Sequence, residues 1–297
     1  MIIRLSHIGL VVDNLENAVN NYEKVLGLKA VDFRNDQGKG FQLDARIMFP
    51  NECWLHLVQN WNPDSRVNRF LKSHGEGLEH LALETDNIEA DVNHLRKIGV
   101  PLFEDTIFNA ADGFEAFIYP LDAIGFTVEL IQPHPDSWRY DKTRLSNPNI
   151  LGLQHIGVAV KDVMKASERF AWLFNIQAKE LRTDQHFGTQ KDMIIEFGND
   201  RLWLHLVEST DPHNRVTQYM DKYSEGLEHL CIEVADIRKA VRMAARAEVP
   251  LYQNKVYLDR ADGFEAFIYP EYNHNVTVEL IEPYETSRGY RTNSATP

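Results

Sequence analysis

The chain has 297 residues, 43% of them apolar and 25% charged, with a formal net charge of −13. That profile fits a soluble globular protein of two ordinary domains, and the acidic balance argues against nucleic acid or an anionic membrane as partner. Apolar runs are strand-sized, far short of a membrane span. The opening MIIRLSHIGLVV lacks the zones of a signal peptide. Cys53 and Cys231 alone give no disulfide framework, so a reducing cytoplasm is the expected compartment.

In chain order, LSHIGLVV alternates with period two and predicts a half-buried strand. Leu15, Val19, Tyr22 and Leu26 then recur at helical spacing, and Gly27 stands where a helix end takes a left-handed residue. Strands are expected at 29–34, 41–49 and 53–59. A second unit repeats the order: LEHLALET as strand, a helix carrying Val92 and Leu95 up to Gly99, and strands at 101–107, 114–119 and 126–131. Each unit is β-α-β-β-β and too small to bury a core alone.

Everything then recurs. ADGFEAFIYP stands at 111–120 and 261–270, GLEHL at 77–81 and 226–230, and WLHLV at 54–58 and 203–207; SHIGLVV returns as QHIGVAV. All four pairs are offset by 148 to 150 residues, which marks a tandem duplication. The expected fold is therefore α+β: four tandem β-α-β-β-β modules paired into two eight-stranded curved sheets with helices outside. The expected domains are 1–133 and 151–283, joined by a polar linker at 134–150 and followed by a polar tail at 284–297.

One set of polar residues holds the same place in every module: His7, His56, His80 and Glu129 in the first half, and His155, His205, His229 and Glu279 in the second. The intervals are 49, 24 and 49 residues, then 50, 24 and 50. Strand alternation turns Ile8, Leu10, Leu55, Leu57, Val128 and Leu130 toward the helices and the polar set toward the opposite, concave face. Imidazole and carboxylate suit borderline divalent ions (zinc, cobalt, nickel, manganese or iron(II)). Such an ion with open positions can stabilise a developing oxyanion. Trp54 and Trp203 share a face with His56 and His205 and are expected to wall the pocket. Tyr119 and Tyr269, ten residues before the glutamates, are candidate proton donors, set against plain packing at a strand end. Glu115 and Glu265 recur as well and line the pocket if they face it. His74, His94, His134, His186, His213 and His274 do not recur, and solvated surface is the reading for most of them.

HIGLVV with His7, GLEHLAL with His80, FIYPLDAIGFTVELIQP with Glu129, and their second-half twins resemble the vicinal oxygen chelate superfamily, over 1–133 and 151–283. Each half is most similar to methylmalonyl-CoA epimerase. The resemblance implies paired modules, a divalent metal at the eight positions, and proton transfer beside a metal-chelated carbonyl or thioester. Glu129 and Glu279 would serve the catalytic centre. Where the epimerase has glutamine, this chain has His56 and His205. The epimerase's second catalytic carboxylate has Asp44 and Asp192 as nearest counterparts. Two alternatives stay open: an iron(II) extradiol-type dioxygenase acting on a catechol-like substrate, with His186 as a guessed acid-base group, and a small-molecule binding or resistance protein. Substrate identity and oligomeric state are not specified.

Overall fold

Period-two segments become strands and 3.6-period segments become helices in all four modules of the computed structural model. It describes residues 1–297 except 37–40, 122–123, 136, 138–144, 185–189, 199–201, 259, 261, 286 and 288–297. His186, much of the expected linker and most of the expected tail lie outside the described residues. The first half runs β1 (Ile2–Val11), α1 (Leu15–Leu26), β2 (Ala30–Asp36), β3 (Gln42–Met48), β4 (Trp54–Asn60), α2 (Arg66–His74), β5 (Gly77–Thr85), α3 (Ile88–Lys97), β6 (Phe108–Asn109), β7 (Gly113–Ile118) and β8 (Thr127–Pro133). The second runs β9 (Ile150–Ala159), α4 (Val163–Phe174), β10 (Lys179–Asp184), β11 (Gln190–Glu196), β12 (Trp203–Ser209), α5 (Arg215–Tyr223), β13 (Gly226–Val234), α6 (Ile237–Arg246), β14 (Gly263–Ile268) and β15 (Thr277–Pro283). No helix among the described residues is long and apolar enough to cross a membrane.

The first half forms a mixed sheet in the order β2-β3-β4-β1-β5-β8-β7-β6, and the second a mixed sheet β10-β11-β12-β9-β13-β15-β14. Among the described residues the second has seven strands, with one bridge, Tyr257 to Glu265, in the place of β6. Pairing is parallel in β5–β8 and β13–β15, and antiparallel in β3–β4 and β7–β8.

Local chemistry explains the elements. Asn14 caps α1 by accepting from Asn17 N–H, and Gly27 closes it at φ 66°. One device recurs four times: a side chain near the end of each module's last strand accepts the first N–H of that module's helix. The pairs are Gln59 with Leu15 (3.0 Å), Gln132 with Ile88 (2.9 Å), Glu208 with Val163 (3.1 Å) and Glu282 with Ile237 (2.8 Å). Each satisfies a helix-start donor and pins helix to sheet.

Two features differ from the sequence expectation. The strand expected at 101–107 is instead a single bridge from Leu102 to Ile118, then a 3₁₀ turn over Phe103–Asp105, then β6. Glu104 and Asp105 sit at φ 54° and 46°, which breaks an extended run. Helices α2 and α5 were not expected. Ser65 and Asn214 cap them. Val67, Phe70 and Leu71 cover Val11 and Val58, while Val216, Tyr219 and Met220 cover Ala159 and Val207.

The chain condenses into two compact units. One comprises Met1–Ile8, Glu79–Arg139 and Ile156–Glu228; the other comprises Gly9–Leu78, Tyr140–His155 and His229–Pro297. In the first, Gly125 lies so close to Glu225 that an added Cβ would sit 2.1 Å from its carbonyl oxygen. In the second, α1 packs on α6, Asn147 donates to the Leu26 carbonyl at 2.7 Å, and Asn273 donates to the Tyr22 hydroxyl at 3.2 Å. His274 is not solvated surface there: it meets Glu76 at 3.0 Å.

Candidate metal centres

Strand alternation decides which side chains converge. On β8, Val128 and Leu130 are fully buried among apolar neighbours, which leaves Glu129 on the other face, opposite Ala82 of β5 and Phe117 of β7. In the first unit, His7, His80 and Glu129 meet there. Nε2 of each imidazole lies 3.6 Å from the same glutamate oxygen, and the rings stand edge to face at 5.4 Å and 89°. The second unit reproduces this with His155, His229 and Glu279. Nε2 to carboxylate distances are 3.6 and 3.4 Å, and the two Nε2 atoms are 3.1 Å apart. The rings again stand edge to face, at 5.2 Å and 86°.

These spacings fit a shared cation. Metal–ligand bonds of about 2.0–2.2 Å place neighbouring ligand atoms roughly 3.0–3.5 Å apart. The carboxylate distances are longer than good N–H···O hydrogen bonds. A buried carboxylate between imidazoles is also a costly arrangement unless positive charge joins it. The outward-facing nitrogens are engaged: His7 Nδ1 by Ser6 Oγ at 3.3 Å, His80 Nδ1 by Glu79 at 2.9 Å, and His155 Nδ1 by Gln154 at 3.2 Å. Glu79 is itself fixed by the Thr127 hydroxyl at 2.7 Å. Such bonds orient Nε2 toward an ion.

The remaining histidines sit on β4 and β12. Each of the two meets an aspartate. Asp44 Oδ1 is 3.6 Å from His56 Nε2, and Asp192 Oδ1 is 3.3 Å from His205 Nε2. Burial alone would raise the Asp44 carboxyl. Hydrogen bonding and charge from His56, with help from Gln42 and Arg34, hold it below its ordinary value.

The other predicted residues fall in several places. Trp54 and Trp203 are buried at the starts of β4 and β12, two residues before the histidines. Glu115 and Glu265 share a strand face with Phe117 and Phe267, the residues opposite Glu129 and Glu279. The tyrosines turn to two 3₁₀ segments, Phe103–Asp105 and Tyr252–Asn254. Tyr119 packs on Phe103 and is 40% exposed, while Tyr269 packs on Tyr252 and its hydroxyl accepts from Gln253 N–H.

Three residues escaped the sequence reading. Glu79 stands beside His80 in the GLEHL repeat, where strand alternation alone turns the two side chains to opposite faces. Arg46 stands directly opposite His56, is buried, and pairs with Asp32 at 2.9 Å beneath the Trp54 ring. Cys231 is buried opposite Glu279 and forms a further candidate group with His155 and Glu279. Burial and the neighbouring carboxylates push its thiol well above the usual range.

Comparison with known proteins adds a family. The model of the Glyoxalase/Bleomycin resistance protein/Dioxygenase superfamily matches residues 6–119 and 154–267. An uncharacterised Bacillus subtilis protein, YqjC, is 30% identical over 45% of this chain and 94% of its own length. Mouse mitochondrial methylmalonyl-CoA epimerase is 31% identical over 43% of this chain and 72% of its own. A 4-hydroxyphenylpyruvate dioxygenase of Pseudomonas aeruginosa is 31% identical over 31% of this chain and 27% of its own. In fold, a 4-hydroxymandelate synthase variant from Streptomyces coelicolor matches 97% of this chain and 94% of its own, with a TM-score of 0.73 at 16% identity.

Proposed function

This chain belongs to the glyoxalase/bleomycin resistance protein/dioxygenase superfamily, and we propose that within it the chain is a divalent-metal-dependent isomerase or lyase that moves a proton beside a chelated carbonyl or thioester. His7, His56, His80 and Glu129 would hold one ion, and His155, His205, His229 and Glu279 a second. When bound, the ion supplies Lewis acidity that stabilises an enolate oxygen.

The observation that carries the reading is a buried aspartate beside the β4 or β12 histidine in both centres. A carboxylate there can accept the proton from the carbon next to the carbonyl and return it. Trp54 and Trp203 exclude water from that transfer. The likeness to methylmalonyl-CoA epimerase supports an acyl thioester among candidate substrates.

The test is solvent exchange. Metal-loaded protein is incubated with branched acyl thioesters and α-ketones in deuterium oxide, and deuterium at the adjacent carbon is followed by mass spectrometry. Exchange that Asp44→Asn and Asp192→Asn together abolish supports the reading. A second reading rests on a specific feature: each unit holds two histidines and one glutamate, the set that iron(II) oxygenases use. Dioxygen uptake by iron(II)-loaded protein on a catechol or a 2-keto acid, with no exchange on any carbonyl substrate, would replace the first reading with this one.

A further inference from the structure

We propose that Cys231 is a sulfur ligand of the second centre, so that this centre takes a thiophilic divalent ion, zinc or cobalt(II), while the first centre is sulfur-free. The inference rests on the reading that both centres bind metal, and it adds a chemical difference between them.

The geometry comes from the parallel pairing of β13 and β15. Cys231 stands directly opposite Glu279, and His229 lies two residues earlier on the same face. Ligand atoms of His155, Cys231 and Glu279 lie within 4.8 Å of one another, and all three side chains are buried. This is a cluster of three ligand types around one point. In the first centre the matching position, opposite Glu129, is Ala82, which offers nothing to a metal. Cys53, the only other cysteine, lies in no such cluster among the described residues and directs its sulfur at the Trp54 carbonyl, 3.9 Å away.

Coordination breaks the Cys231 S–H bond, forms a sulfur–metal bond and releases the proton to solvent, with no change of oxidation state. Thiolate favours zinc and cobalt over magnesium and manganese. The second centre should therefore keep zinc or cobalt against an excess of manganese that displaces it from the first.

Cobalt(II) reads both sites. Titration of the metal-free full chain should develop visible ligand-field bands in two equal steps. One step alone should carry a near-ultraviolet thiolate-to-cobalt charge-transfer band. Cys231→Ala copies the residue found in the other half; it should lose that band completely and still bind both cobalt ions. His80→Ala should lose the other step and keep the band. Two cobalt ions bound with no charge-transfer band, or a band that survives Cys231→Ala, overturns the sulfur ligand and leaves the metal reading standing. A protein that binds no cobalt overturns both.

Discussion

The first centre sets Ala82 opposite Glu129 and Arg46 opposite His56, whereas the second sets Cys231 opposite Glu279 and Ile194 opposite His205. The ligand frames nonetheless agree closely, with imidazole rings edge to face at 5.4 and 5.2 Å. The difference teaches where the duplicated chain is constrained. Each candidate ligand must sit on a set strand, on a set face and at a set height, because several atoms must reach one point. A residue on the wall beside them meets no such joint condition, so the two walls carry different charge and softness around one frame.

The largest effects should follow from breaking one frame at a time. His80→Ala is expected to empty the first centre and His229→Ala the second, each halving the metal found per chain by elemental analysis. If either substitution strips both, the centres are not independent. Next in size is the paired test of the aspartates. Asp44→Asn should lower solvent exchange at the first centre by roughly 10²–10⁴-fold, as loss of a general base does. Asp192→Asn should do so at the second. Measuring each in a background where the other centre carries its histidine-to-alanine change assigns the activity.

The same comparison extends to the contacts that tie modules together. In one unit Gly125, at φ 77°, lies against the backbone of Glu225; in the other, Glu76 meets His274. Gly125→Ala adds a left-handed penalty to a clash with backbone that cannot swing aside. The expected cost is about 2–4 kcal/mol, read as a lowered urea midpoint.

How much of this was legible follows from what repeats. Eight candidate ligands, four modules and both sheet halves showed in the sequence because each feature had a twin at fixed spacing. Arg46 and Cys231 had no like twin, since Ile194 and Ala82 occupy the matching places, so no repeat marked them. The left-handed turns at Glu104–Asp105 and Gln253–Asn254 were hidden for another reason: acidic and amide residues there give no glycine signal. Helices α2 and α5 span nine residues each, too few turns for the period to stand out from neighbouring loops. Glu79 was not singled out, because alternation turns adjacent residues to opposite faces, yet a side chain near a strand's start reaches around to its neighbour's ring.

That residue gives a finer test of the two frames. Glu79 accepts from His80 in the first centre, whereas in the second Arg215 grips Glu228. Glu79→Gln should therefore weaken metal at the first centre by about 10–100-fold, the usual effect of losing an outer partner. Competition with a chromophoric chelator measures the loss, and an unchanged first centre would mean that this contact does not orient His80.

The smallest effect concerns pH. Burial would raise the Glu76 carboxyl, but hydrogen bonds from His274 and from Asp13 N–H, with the His274 charge, more than offset it and hold the group below its ordinary value of 4.5. A carboxyl whose folded value is depressed adds stability above the unfolded value, and that stability fades as pH falls through the lower, folded one. The pair is partly exposed, so the contribution is about 0–1 kcal/mol. Glu76→Gln should thus melt slightly below the parent at neutral pH, with the gap closing as pH drops below about 4.5. The contact in the other unit involves backbone at Gly125 and should show no such closure, so a gap that closes equally for Gly125→Ala would mean that acid acts on the whole fold rather than on this pair.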